Sequence, residues 1–175
     1  MDLGYRMVNH DRVLQSGFCV SGQTIAEATK NIKKIAGNQI ILLNIGSADI
    51  IQGKELIEMI YETVHLLRVC LAKGITPVLT TLLPLANYRL GNRVEVADGF
   101  NEFLIKNPFK FSVIELHKAF SNSDGSMDSN YYQPNTRYVS GMKRPLVFWN
   151  RLGRKKIIKT LTKELGSAIL KILIE

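Results

Sequence analysis

Residues 39–46 read QIILLNIG, a nearly continuous apolar run of strand length that ends on a glycine. A strand that faces water on one side alternates apolar and polar residues. This run does not, which suits a parallel strand covered on both faces. Its neighbours fit the same reading. Upstream, Ile25, Ala28, Ile32 and Ile35 recur at steps of three and four, the spacing of an amphipathic helix over Thr24 to Ala36, and Gly37-Asn38 stops it. Before that helix, Val13 to Gly22 (VLQSGFCVSG) has the β-branched and apolar content of a short buried strand.

Downstream, the GSADI stretch predicts a loop and Lys54 to Lys73 a long helix, with Leu56, Ile57, Ile60, Val64, Leu67 and Leu71 on its inner face and Gly74 as its stop. Ile75 to Leu83 reads as a strand closed by Pro84, Asn92 to Lys106 as a helix that tolerates Gly99, and Phe109 to Leu116 as a further strand. Ser121 to Gly141 is rich in Ser, Asn, Asp and Gly and has no period, so residues 121–142 are expected to form a mobile loop. Helical spacing returns from Arg154 to about Ile172 through Ile157, Ile158, Leu161 and Leu165. Strands alternating with helices predict βαβ units. The fold class is therefore α/β, a three-layer, doubly wound, mainly parallel sheet with flavodoxin-like topology. Ligands of such sheets gather at the carboxyl ends of the strands, here the GSADI and PLANY loops.

The 175 residues suit a single domain spanning 1–175, and 46% hydrophobic with 22% charged residues is ordinary globular composition. Cys19 and Cys70 lack a C-x-x-C spacing, so reduced, buried thiols of a cytoplasmic or nuclear protein are expected. No apolar run approaches the roughly 18 to 20 residues of a membrane span, and the amino end has no signal pattern, so no membrane association is expected. His10, His65 and His117 have no metal-like spacing, which predicts no metal and no cofactor. The bulk signal is charge. The formal net charge is +8, and the segment from Lys143 to Lys156, KRPLVFWNRLGRKK, holds six basic residues and no acidic one. So local a positive field favours a docking surface, for which nucleic acid is the first candidate and an anionic membrane surface the second.

The order of these pieces resembles the SGNH, or GDSL-type, hydrolases. Gly22 is similar to that family's second-block glycine, Gly46-Ser47-Ala48-Asp49 to its G-x-N-D, and Asn150-Arg151-Leu152-Gly153 to the stretch after its D-x-x-H. The resemblance implies a serine nucleophile, a histidine base oriented by an aspartate, and glycine and asparagine donors to the oxyanion. Here Ala48 stands at the oxyanion asparagine, and Pro145-Leu146-Val147-Phe148 stands where D-x-x-H belongs. Leu3-Gly4-Tyr5 is similar to the start of the G-D-S block but sets Arg6 at the nucleophile. This pattern resembles the OSK domains of insect germ-plasm organisers, SGNH-like domains without the catalytic residues. That resemblance implies a non-enzymatic binder of messenger RNA untranslated regions, located in cytoplasmic germ-plasm ribonucleoprotein granules with other germ-plasm proteins as partners. The rival readings are an esterase or acetyl hydrolase whose nucleophile lies upstream of residue 1, and a protein-interaction scaffold.

The residues expected to contact RNA are Arg6, Arg12, Lys143, Arg144, Arg151, Arg154 and Lys155. Basic charge at the start of the last helix opposes the helix macrodipole, so helix stability does not explain it. The planar fork of arginine suits phosphate oxygens. Tyr131 and Tyr132 are candidate stacking platforms for unpaired bases, whereas Phe148 and Trp149 follow the apolar Leu146-Val147 and are expected in the core. Asp49 reads as a loop-capping carboxylate.

Overall fold

The computed structural model of the chain describes residues 15–16, 19–20, 22–84, 86, 93–137 and 146–174. Its centre is a parallel sheet of β3 (Ile40–Leu43), β4 (Thr76–Thr80) and β5 (Val113–Ile114), with β4 in the middle. The two strands that precede it in the chain, β1 (Gln15–Ser16) and β2 (Cys19–Val20), pair antiparallel with each other rather than joining the sheet. The expected single strand over Val13 to Gly22 is therefore two short paired strands among the described residues.

Helix α1 (Ile25–Ile32) starts at a capping box: the Thr24 hydroxyl accepts the Glu27 N–H at 3.3 Å, and the Glu27 carboxylate accepts the Thr24 N–H at 2.9 Å. Its buried Ile25, Ala28 and Ile32 meet α3 (Leu56–Ala72), which packs in turn on α4 (Arg93–Ile105). These three helices cover one face of the sheet around Leu43, Met59, Leu66, Leu79, Phe100 and Leu104. A short helix, α5 (Leu116–Ala119), follows β5, and the last helix, α6 (Arg151–Ile174), covers the other face through Ile157, Leu161 and Leu165 against Val78, Ile114, Phe120 and Tyr132. Adjacent residues of β4 thus serve opposite layers, Leu79 the α3 side and Val78 the α6 side. That is the three-layer arrangement expected of a strand buried on both faces.

Burial on both faces holds for β4 but not for β3, whose Ile40 and Leu42 are 42% and 40% exposed. Three further expectations are corrected. The GSADI stretch is helical: α2 (Ser47–Gln52) begins directly after Gly46, whose φ of +106° is a left-handed conformation that suits glycine. Helix α3 buries Met59, Thr63, Leu66, Leu67 and Cys70, while Ile57 and Leu71, expected inside, point outward. Within the segment read as a mobile loop, a 3₁₀ turn (Ser129–Tyr131) leads into β6 (Tyr132–Arg137), which pairs antiparallel with β7 (Leu146–Trp149). Residues 138–142 of that segment lie outside the described residues.

Cys70 is fully buried in α3, and burial pushes its thiol up to about 11. At pH 8 only about one thiol in a thousand is then ionised. In a Cys19→Ser background, alkylation of Cys70 is expected to proceed only as fast as the fold opens, accelerating sharply in denaturant. Rapid stoichiometric labelling of the native protein would contradict this burial.

Candidate nucleic-acid interface

Helix α6 leaves β7 through Asn150, which fixes its start. The Asn150 side-chain oxygen accepts the Gly153 N–H at 2.9 Å, an N-cap bond, while its amide donates to the carbonyls of Asn130 (2.7 Å) and Tyr132 (3.1 Å). The Asn150 N–H also donates to the Tyr131 carbonyl at 2.9 Å. The first turn therefore rests on the 3₁₀ turn that precedes β6, and Gly153 is buried against that backbone.

From this anchored start, Arg151, Lys155, Lys159 and Lys163 follow at intervals of four residues, and all four are exposed. Each step rises about 6 Å along the helix and drifts slowly around it, so the four cations form one ridge. Arg154 is exposed beside the ridge, with its guanidinium 3.4 Å from the Trp149 carbonyl, to which it donates. The first turn of α6 carries no acidic residue, and among the described residues the ridge meets a carboxylate only at its far end, where Lys163 lies 3.6 Å from Glu164. Of the residues expected at an RNA surface, the structure thus brings Arg151, Arg154 and Lys155 together. Arg6, Arg12, Lys143 and Arg144 lie outside the described residues. Lys159 and Lys163 were missed by the sequence reading, although their spacing of four from Arg151 and Lys155 is visible there.

Lys156 is placed differently from its neighbours. Its ammonium sits 3.9 Å from the centre of the Tyr131 ring and 5.3 Å from that of Phe120, a cation–π contact that ties the helix to the core. This corrects the expectation that Tyr131 and Tyr132 stack on bases. Tyr131 meets Phe120 edge-on at 5.2 Å and carries Lys156 on its ring. Tyr132 is buried, and its hydroxyl donates to the Pro84 carbonyl at 2.8 Å. Burial raises the Tyr132 phenol above its ordinary value. Trp149 packs half-buried on the same core cluster, as expected, and Phe148 is half-buried.

The positions that resemble a hydrolase site hold different chemistry. Leu146, Val147 and Phe148, which stand in the place of D-x-x-H, are part of strand β7. Asp49 is wholly buried; one oxygen accepts the Ile25 N–H at 3.0 Å and so caps α1, and the other accepts Lys54 at 2.7 Å. Lys54 also reaches Glu62 at 2.7 Å. Burial raises the Asp49 carboxyl above its usual range, and the bonds from Lys54 and Ile25 oppose that rise. Burial also works against the charge of Lys54, yet its bonds to Asp49 and Glu62 outweigh this and raise its pKa. Asp49 is therefore a structural cap, as the sequence suggested, held in a three-membered ion network that the sequence did not disclose.

One cluster outside these blocks has a serine, a histidine and an aspartate. Ser121 Oγ lies 3.4 Å from His117 Nδ1, and His117 Nε2 lies 3.8 Å from Asp98. The hydroxyl donates to the His117 carbonyl at 3.0 Å, and 3.8 Å is too long for an orienting hydrogen bond, so neither nucleophile nor base is activated. Among the described residues no group of three His, Cys, Asp or Glu side chains is placed to hold a metal ion, and no helix is long and apolar enough to cross a membrane.

The OSK domain family model matches residues 1–167. The chain belongs to the OSK domain family. It is similar to the maternal effect protein oskar of Drosophila melanogaster, with 36% identity over 169 residues that make up 94% of this chain and 28% of that protein. This OSK domain thus spans less than a third of the length of that curated relative. The crystal structure of the OSK domain of Drosophila Oskar is similar at a TM-score of 0.83 and 34% identity, covering 92% of this chain and 78% of the other. A member of the lipolytic G-D-S-L family from Veillonella parvula has a TM-score of 0.63 at 15% identity, over 81% of this chain and 74% of that one. At that identity the likeness concerns the fold, which is SGNH-like.

Proposed function

We propose that this OSK domain is a non-enzymatic RNA-binding module whose contact surface is the cationic ridge of α6. The observation that carries the reading is the four-residue repeat of Arg151, Lys155, Lys159 and Lys163 along an exposed helix face, with Arg154 beside it. A row of cations at regular rise suits a run of backbone phosphates and carries no preference for base identity. One ring face of Tyr131 carries Lys156 and Tyr132 is buried, so affinity on this surface rests on charge more than on stacking. Lys143 and Arg144, which precede β7, and Arg6 and Arg12 remain part of the proposed contact set. The naming of the relative as a maternal effect protein supports a developmental, germ-plasm role; messenger RNA untranslated regions as the ligand, and cytoplasmic germ-plasm granules with other germ-plasm proteins as the setting, are part of the proposal. Absence of hydrolase chemistry is part of the reading: Ala48 offers no side-chain donor to an oxyanion, and Phe148 has no titratable proton.

RNA affinity measured across ionic strength tests it. With the four ridge cations engaged, the slope of log affinity against log salt is expected near −3 for single strands. The double substitution Arg151→Glu and Lys155→Glu is expected to weaken binding by about tenfold or more and to flatten that slope by about two counterions' worth. Short-chain acyl esters should not be turned over by either protein. Affinity that ignores salt, or binding that survives the double reversal unchanged, rejects the ridge as the RNA surface.

A further inference from the structure

Helix α3 carries a second apolar face. Ile57, Tyr61 and Leu71 are 72%, 76% and 51% exposed, and together with Val64 and Arg68 they recur at alternating steps of four and three residues. That is the spacing of a coiled-coil seam, and it lies on the opposite side of the helix from the buried Met59, Thr63, Leu66 and Cys70. The seam is unlike at its two ends. Its amino-terminal half is flanked by Glu58 and Glu62 and borders a shallow, open cavity of about 430 Å³ lined by Lys54, Ile57, Glu58, Tyr61 and Glu62. Lys54 is engaged by Asp49 and Glu62, which leaves Glu58 as the carboxylate there without an ion-pair partner among the described residues. The carboxy-terminal half presents the converse, an apolar Leu71 beside an exposed Arg68 that likewise lacks an ion-pair partner among the described residues.

We propose that this face docks on the α3 helix of a second copy of the chain, antiparallel, about a two-fold axis near Val64. Antiparallel pairing sets the Leu71 end of each helix on the Ile57–Tyr61 cavity of the other. Arg68 then lies beside the partner copy's Glu58 and the face of its Tyr61 ring. Parallel pairing would set Arg68 against Arg68 and Glu58 against Glu58, so charge selects the antiparallel arrangement. Such a contact is isologous and closes as a dimer. A seam of one 17-residue helix is smaller than a standard interface, which places the dissociation constant in the micromolar range, on the order of 10 to 100 μM. The proposal is independent of RNA binding and is tested on RNA-free protein.

Sedimentation of the parent chain from about 1 to about 500 μM, spanning that dissociation constant, should show a monomer–dimer equilibrium. Glu58→Arg alone and Arg68→Glu alone should each be monomeric over this range, because each places like charges across both halves of the seam. An equimolar mixture of the two should dimerise again, since every facing pair is then of opposite sign. Circular dichroism and melting curves verify that both variants are folded. Independently, Val64→Cys in a Cys19→Ser background should form an intermolecular disulfide under mild oxidation. A parent chain that stays monomeric throughout overturns the proposal, as does a dimer that neither single substitution weakens.

Discussion

Replacing Lys54 with methionine is expected to lower the stability of the domain by about 3 to 5 kcal/mol, the usual consequence of stripping one partner from a buried ion pair. Asp49 has no solvent exposure, and its carboxylate is held by the Lys54 ammonium at 2.7 Å and the Ile25 N–H at 3.0 Å. Methionine keeps the length and apolar stem of the lysine but leaves a buried negative charge facing Glu62, a residue that Lys54 also neutralises. The loss should depend on pH. Burial already raises the Asp49 carboxyl above its ordinary value of 3.8, and without Lys54 it rises further. A carboxyl with a raised pKa holds its proton more readily in the folded than in the unfolded state. Its stabilising contribution is present at low pH and is lost as pH rises from 3.8 through the raised value. The deficit of Lys54→Met relative to the parent should therefore be small near pH 4 and grow toward neutrality. Adding Asp49→Asn should recover much of it, because an amide oxygen still accepts the Ile25 N–H without carrying charge. Urea denaturation across pH measures this. A deficit that is flat with pH and indifferent to Asp49→Asn would mean that Lys54 acts through packing alone.

The sheet and its sandwiching helices are legible where the apolar pattern of a segment allows one reading. The helix with Ile25, Ala28 and Ile32 and the strand around Val78 and Leu79 appear as read, and QIILLNIG appears as a strand, although its Ile40 and Leu42 are exposed. Helix α3 shows why face assignment fails elsewhere. It has apolar residues on two sides, so periodicity finds two stripes and cannot rank them, and the stripe that is buried includes Thr63 and Cys70, which a hydrophobic count undervalues. Thr63 enters the core because its hydroxyl donates to the Met59 carbonyl at 2.8 Å, leaving no orphaned donor. Strand β6 was hidden for a different reason. Its sequence, YQPNTR, is polar and contains Pro134, and a proline is tolerated in an outer strand whose ladder is irregular, as it is between Tyr132 and Thr136.

The candidate site was legible in its charge and not in its aromatic chemistry. Arg151, Arg154 and Lys155 share an exposed surface, as a local excess of cations suggests. Composition does not reveal that Lys156, the next residue, turns toward Tyr131 and Phe120. The helical step of 100° per residue separates them: in three adjacent basic residues, at least one must approach the helix face that packs on the sheet. A basic run at the start of a buried helix thus divides into members that hold the helix in place and members left free for a polyanion.

That division makes the first turn of α6 the point where fold and proposed surface depend on one another, and Gly153→Ala is expected to disrupt both. Alanine is a better helix former than glycine by about 1 kcal/mol, so propensity alone predicts a gain. The geometry predicts the reverse. A Cβ at position 153 would overlap the Tyr131 carbonyl oxygen and come within 3.1 Å of the Trp149 Cβ. Neither obstacle is the end of a flexible side chain, and the Tyr131 carbonyl already accepts the Asn150 N–H. The helix must move away from the 3₁₀ turn, loosening the Asn150 cap and the Lys156–Tyr131 contact. A net loss of about 2 to 3 kcal/mol is expected from such overpacking. Gly166→Ala is the control within the same helix, because nothing lies within 4 Å of its Cβ position; there the propensity gain, up to about 1 kcal/mol, should appear undiminished. Chemical denaturation of the two variants beside the parent reads both signs at once. If Gly153→Ala also tilts the ridge, its RNA affinity should fall although no charge has been removed, which a purely local cavity clash would not produce. Two variants that stabilise the domain equally would show that α6 does not rest on the Tyr131 backbone.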